Sequence, residues 1–275
     1  MMNEQENLLA AETEEPEVPR KVGLPRFFEL LGRDLWSFFR ASFLCGLGWL
    51  PGFALLAFGL MVNNLLFCLA GGALAGLVGA PFLCGLLDTI LRALRDEPGY
   101  WWHTYKMAWK QNWRQSLVPG LVFGVFFGLW AGMLFTAAEM DGVPTSVWIC
   151  LIVGLFLGLG FFGYSFLQIP LVDLPLGQRV KNAALMFLGF FPRTLAATVV
   201  TGAYWAVMLL YLPYTLLVLL ALGWWLPCLV SSMILYPGLD RVFGLEKTLR
   251  ERRDAEINAR MAAAAPVFDT KDEQP

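Results

Sequence analysis

Four stretches without a single Asp, Glu, Lys or Arg limit what this chain can fold into: residues 41–87, 115–138, 142–172 and 194–239, which are 47, 24, 31 and 46 residues long. A soluble domain keeps about a quarter of its residues charged and spreads them over its surface. Here 15% are charged, 57% are hydrophobic and the mean hydropathy is +0.59. A hydrocarbon core about 30 Å thick takes roughly 20 helical residues. The two shorter gaps therefore hold one span each and the two longer ones two each. That places spans at about 41–62, 65–87, 117–138, 147–171, 194–212 and 214–236.

The cations supply an independent test of that division. Of the 20 Lys and Arg, five lie at or before Arg40, five between Arg92 and Arg114, three between Arg179 and Arg193, and seven from Arg241 onward. With six spans all of them fall on one side, as the retention of Lys- and Arg-rich connections in the cytoplasm requires. Reading either long gap as one span would scatter them. The expected fold is all-α: a polytopic membrane protein of six transmembrane helices, both termini cytoplasmic. Of the 22 acids only Glu139 and Asp141 fall on the other side, so the net charge of -2 reflects mixed signs at one face and predicts no nucleic-acid partner.

Three regions follow from the charge pattern. Residues 1–26 read as a disordered acidic cytoplasmic tail, with six glutamates ahead of Arg20 and too little apolar surface to offset the entropy of ordering. An acidic start is the reverse of a secretory leader, so no cleaved leader is expected. Residues 27–239 form the six-span membrane domain. Residues 240–275 carry opposite charges at i, i+4, as in Glu246 with Arg250 and Lys247 with Glu251, and are expected to form a charged juxtamembrane helix and tail.

"EPGYWWHTYKMAWKQNWRQS", residues 97–116, crowds aromatics and cations between two apolar runs. On a helix, Trp102, Tyr105, Trp109 and Trp113 share one stripe, with Lys106, Lys110 and Arg114 alongside. Indole rings favour the headgroup level and cations meet lipid phosphates there, so these seven residues are expected to anchor an amphipathic interfacial helix on the cytoplasmic side, with the lipid bilayer as its partner. Similar segments precede the first and fifth spans, in "LPRFFELLGRDLWSFFRASF" and "LGQRVKNAALMFLGFFPRTL", which reads as three units of surface helix plus span pair.

Within the spans, Gly120, Gly124, Gly128 and Gly132 form a ladder at i, i+4. Small residues let helix backbones approach in lipid, and the ladder fits either a neighbouring helix or self-association with a second copy. Gly72 with Gly76 and Gly154 with Gly158 repeat the spacing. None of the six spans contains an ionisable residue, which disfavours a proton-coupled transporter. The polar groups at depth are hydroxyls, including Thr198, Thr201, Ser231 and Ser232, together with Gln168 and four tyrosines. Asn63 and Asn64 suit a tight turn between the first two spans.

No catalytic constellation stands in the chain. His103 is the single histidine, and no phosphate-cradling loop, Gly-x-Ser-x-Gly or His-Glu-x-x-His occurs. Cysteines 45, 68, 84, 150 and 228 lie inside spans without Cys-x-x-Cys pairing, as small buried apolar residues do. No enzyme activity, cofactor, metal or disulfide is expected.

"VGAPFLCGLLDTILRALRDEPGYWWHTYKMAWKQNWRQSLVPGLV", "FFELLGRDLWSFFRASFLCGLGWLP" and "LVDLPLGQRVKNAALMFLGFFPRTL" together resemble YesL-like bacterial integral membrane proteins over most of residues 27–212. Between Pro51 and Gly79 this chain carries an extra apolar stretch that typical members lack. The resemblance assigns no site residues. It implies a bacterial cytoplasmic-membrane location and a non-enzymatic accessory or assembly component beside a carbohydrate uptake system, with a transporter subunit as partner. A facilitator for an uncharged small solute, lined by the hydroxyls at depth, is the alternative. A reporter enzyme fused after Pro275 is expected to be active only when it needs the cytoplasm; activity confined to the periplasm would undo the layout.

Overall fold

A computed structural model describes residues 21–97, 99–211, 214–215, 218 and 223–264. The chain divides into two compact units, residues 1–35 and 36–275. Most of the expected acidic tail and the final residues lie outside the described part. Every regular element among the described residues is helical: α1 (Leu24–Met61), α2 (Leu65–Arg95), α3 (Trp101–Glu139), α4 (Thr145–Leu171), α5 (Leu176–Gly189), α6 (Phe191–Leu210), α7 (Trp225–Phe243) and α8 (Leu245–Ala264). Five of these, α1 to α4 and α6, are long and apolar enough to cross a membrane; α7 and α8, bent by 72° at their junction, qualify together as a sixth.

Two corrections concern boundaries. The first surface segment is not a helix separate from its span, because α1 runs unbroken from Leu24, already inside the expected tail. The second likewise forms the opening turns of the 39-residue α3. A change from amphipathic to wholly apolar sequence alters what a helix faces without interrupting its hydrogen bonds. Only the third unit breaks. There α5 ends at Gly189, Phe190 leaves helical geometry, and Pro192 opens α6, since proline supplies no N–H and belongs in a first turn.

The sixth expected span, 214–236, is the other correction. Turns lie at Tyr214–Thr215 and at Gly223–Trp224, and the described helix begins at Trp225 and continues past the expected end to Phe243. Gly244 then adopts a left-handed conformation with φ 60°. Asp240 accepts from the backbone N–H of Glu246 at 2.8 Å and Tyr236 donates to Glu246 at 2.8 Å. The charged tail is thus a separate helix, α8, and not a straight extension.

The turn between α1 and α2 follows the asparagines. Asn63 takes φ 48°, a conformation this residue tolerates better than most, and the Asn64 side chain caps α2 by accepting from Leu66 N at 3.0 Å and Phe67 N at 3.4 Å. At the far end of α2, Arg92 pairs with Asp88 at 2.8 Å and with Glu97 at 3.2 Å, and Arg95 with Glu97 at 3.3 Å.

The tightest packing joins α2 to α3. A Cβ added at Gly72 would meet the carbonyl oxygen of Gly124, one at Gly76 that of Gly120, and one at Gly128 that of Cys68. The ladder's partner is therefore α2 of the same chain, which leaves those glycines, all buried, no surface for a second copy. On a neighbouring stripe α2 does the same with α1: Gly52 lies against the Ala75 backbone, Gly59 against Cys68 and Gly71 against Leu56. Because overpacking a close contact costs about 1–3 kcal/mol, Gly124→Ala is expected to lower the thermal midpoint of the purified protein. Gly154→Ala, whose Cβ would meet nothing within 4 Å, should leave it unchanged.

Candidate functional site

Inside residues 36–275, helices α1 to α4, α6 and α7 line a cavity of about 130 Å³. Its polar wall comes from α6, where Thr194, Thr198 and Thr201 recur at helical spacing with Trp205 one turn beyond, and from Ser231 and Ser232 of α7. The apolar wall includes Trp49, Leu83, Leu87, Phe123 and Phe166. Among the described residues no charged side chain lines it.

Trp224 lines the cavity, and its position is fixed from three directions. Its backbone N–H donates to Ser42 Oγ at 2.9 Å, and that of Trp225 donates to the same oxygen at 3.3 Å. Tyr204 donates to the Gly223 carbonyl at 2.8 Å. The indole ring sits 5.1 Å from Trp49, 4.8 Å from Trp205 and 6.0 Å from Phe53, centroid to centroid. Such aromatic pairs add about 0.5–1.5 kcal/mol each beyond their buried area. Non-helical backbone inside an apolar bundle is tolerated where protein groups satisfy it and where it borders a cavity, and the Ser42 and Tyr204 bonds do so here.

Leu87 and Leu235 also line it, from α2 and α7.

The hydroxyls differ in how they are spent. Thr194 donates to the Phe190 carbonyl at 3.1 Å and Ser231 to that of Pro227 at 2.7 Å. Thr198 Oγ1 and Ser232 Oγ, in residues 6% and 1% exposed, have no partner. A buried hydroxyl left unpaired costs about 1–3 kcal/mol. Both residues line the cavity, and a hydroxyl can donate as well as accept.

The other residues singled out in the sequence are placed elsewhere. Of the expected anchor stripe, Tyr105 and Trp109 turn inward: Tyr105 is buried against Gly85 and its hydroxyl reaches the Phe82 carbonyl at 3.5 Å, while Trp109 packs on Phe82 at 6.0 Å. Trp102, Lys106, Lys110, Trp113 and Arg114 remain on the exposed side. The stripe is thus split between the packing of α3 on α2 and an outward aromatic and cationic face. Arg40 lies over Trp36 at 5.0 Å and Trp101 at 5.5 Å. Thr136 sits at the opposite end of the bundle beside Asn63, which donates to Glu139 at 3.0 Å. All five cysteines are free, and Cys150 is exposed on α4, contrary to its expected burial. Sequence reading passed over Thr194, Ser42, Trp49 and Trp224. The spacing of Thr194, Thr198 and Thr201 was the available signal for the first.

Residues 60–132 match a family model. It is described as "Protein of unknown function, DUF624", and the matched part holds the α2–α3 glycine contact and the aromatic half of α3. The chain is similar to that family over this part; the α6 and α7 walls of the cavity lie beyond it. No curated protein and no solved structure matches the chain.

Replacing the unpaired hydroxyls with apolar groups of similar shape removes a cost and no bond. Thr198→Val and Ser232→Ala are each expected to raise the thermal midpoint of ligand-free protein, by an amount equivalent to about 1 kcal/mol. A fall of similar size would mean that these hydroxyls are paired.

Proposed function

We propose that this is a multi-pass, non-enzymatic protein of the bacterial cytoplasmic membrane whose central cavity receives one small, uncharged, hydroxylated solute, acting as a facilitator for it. The observation that carries this reading is the pair of unpartnered buried hydroxyls, Thr198 and Ser232, facing a cavity without charge. A bare ion entering such a space would shed its water with no counter-charge to replace it. A polyol or a similar neutral molecule would exchange its hydration for these hydroxyls and stack its carbons on Trp49 and Trp224. The volume argues for a small occupant, since an engineered cavity of about 150 Å³ accommodates benzene. His103, the single histidine, lies exposed on α3 away from the cavity, and the reading gives it no catalytic part.

A second reading is an accessory or assembly component beside a carbohydrate uptake system. It draws on the YesL-like resemblance and on α8, whose charged side chains from Lys247 to Glu256 are exposed, as in the loose pair of Lys247 with Glu251 at 3.9 Å. Such a helix suits a transporter subunit on the side that holds both termini in this layout, with Trp102, Lys106, Lys110, Trp113 and Arg114 anchoring that face in the bilayer.

Reconstituted into liposomes, the wild-type protein is expected to speed glycerol-driven swelling, and the Thr198→Val, Ser232→Ala double variant to reduce the added rate by about tenfold, the loss of one to two hydrogen bonds. No flux, together with a transport subunit that co-purifies through α8, would replace the first reading with the second.

A further inference from the structure

A second opening lies at the cation-rich end of the bundle and shares no residue with the cavity. It is a pocket of about 420 Å³ between α3, the α4–α5 connection and α5, lined by Arg114, Gln115, Asp173, Leu174, Pro175 and Arg179 among others. Three observations about it converge. The 14-residue α5 starts at its wall with Pro175 as N-cap and no side-chain hydrogen bond to its first turn, and such an end carries roughly half a positive charge.

Arg179 is 1% exposed. It donates to the Gln115 carbonyl at 3.2 Å, to Gln115 Oε1, and to the Leu174 carbonyl at 3.0 Å. Its Nε is buried with no partner. Burial pulls the Arg179 pKa below the ordinary guanidinium value, the direction expected of a cation whose surroundings do not fully replace its water. Neutral carbonyls satisfy part of this group and leave its charge uncompensated by direct contact.

The pocket also holds charge of both signs. Arg114 lies across Trp113 at 5.2 Å, and Asp173 accepts from Gln115 Nε2 at 2.8 Å. Two guanidinium groups and a helix N-terminus oppose a single carboxylate. A simple anion would use the first three and be repelled by the fourth.

We propose that this pocket binds a phosphate ester carrying an ammonium beside its phosphate, the phosphate against Arg114, Arg179 and the start of α5, and the ammonium against Asp173. The same chemistry is found in a phosphatidylethanolamine headgroup and in free phosphoethanolamine. Helix N-termini bind phosphate through their free N–H groups and dipole, and basic pockets between membrane helices bind lipid headgroups. Trp113, whose ring lies under the Arg114 guanidinium, is the residue type enriched at headgroup depth.

The test uses full-length protein in mild detergent, titrated with phosphatidylethanolamine, with phosphatidylglycerol, or with soluble phosphoethanolamine, and read by native mass spectrometry. Wild type is expected to retain phosphatidylethanolamine over phosphatidylglycerol by about fivefold or more, and Arg114→Gln to lose about fivefold of that retention. Asp173→Asn should shift preference towards phosphatidylglycerol. Because Arg114 makes none of the hydrogen bonds that hold Arg179, its variant keeps the α3–α5 link, and an unchanged elution profile checks that it folds. Retention of phosphoethanolamine by wild type and not by Arg114→Gln, without lipid discrimination, supports the site with a soluble ligand. Equal retention of every probe by wild type and Arg114→Gln, or an unaltered preference in Asp173→Asn, overturns it.

Discussion

Backbone-to-backbone contact along α2 is the constraint from which the rest of the architecture follows. In lipid the apolar side chains of neighbouring helices gain little by leaving the solvent, since the solvent is itself apolar, and cohesion comes from close approach. α2 provides that on two sides: Gly71 admits the backbone of α1, and Gly72 and Gly76 admit that of α3. Two pairs of interlocked helices leave little freedom in rotation about the α2 axis. Further along the helix α2 presents Leu83 and Leu87 to the cavity, and Gly85 to the ring of Tyr105.

Against that fixed wall, α6 and α7 bring the polar side chains. The chain abandons helical geometry before Trp225, and the groups freed by doing so are recruited by Ser42 and Tyr204. A straight helix through this region would have placed Trp224 one turn among many. The turn instead sets its ring among Trp49, Phe53 and Trp205, over the hydroxyls below. Discontinuous helices near a cavity are where solute-handling membrane proteins place their binding groups, and here the discontinuity and the unpaired hydroxyls coincide.

Much of this architecture was legible in the distribution of charge. Gaps free of ionisable residues located α1 to α4 and α6, and the Asn63–Asn64 pair marked the first turn, because bilayer thickness and turn conformation act locally on composition. Continuity of helices was not legible in the same way. Nothing at Arg40 or Leu117 breaks a hydrogen-bonded ladder, so α1 and α3 run through their changes of environment, and Pro119 within α3 does not end it. The turn just before Trp225 had a cue in Gly223, outweighed by a run of leucines that reads as a span. The site was half visible. Hydroxyl spacing on α6 could be counted, but the facing of Thr198 and Ser232 depends on how two helices meet, and no local pattern encodes that. Arg179 gave no signal at all, since a buried arginine and a solvated one look alike in a sequence.

The length of α3 carries a further implication. At about 1.5 Å per residue its 39 residues make a rod about 58 Å long, against a bilayer of about 40–45 Å with both headgroup layers included. To lie wholly within the membrane the rod would have to lean by more than 40°, beyond the usual range of tilts. With a smaller lean the rod would reach past the headgroups, and its opening turns would do so only together with the part of α2 on which Tyr105 and Trp109 pack. The bundle would then offer soluble proteins a rigid, ready-ordered foothold that needs no folding step upon contact.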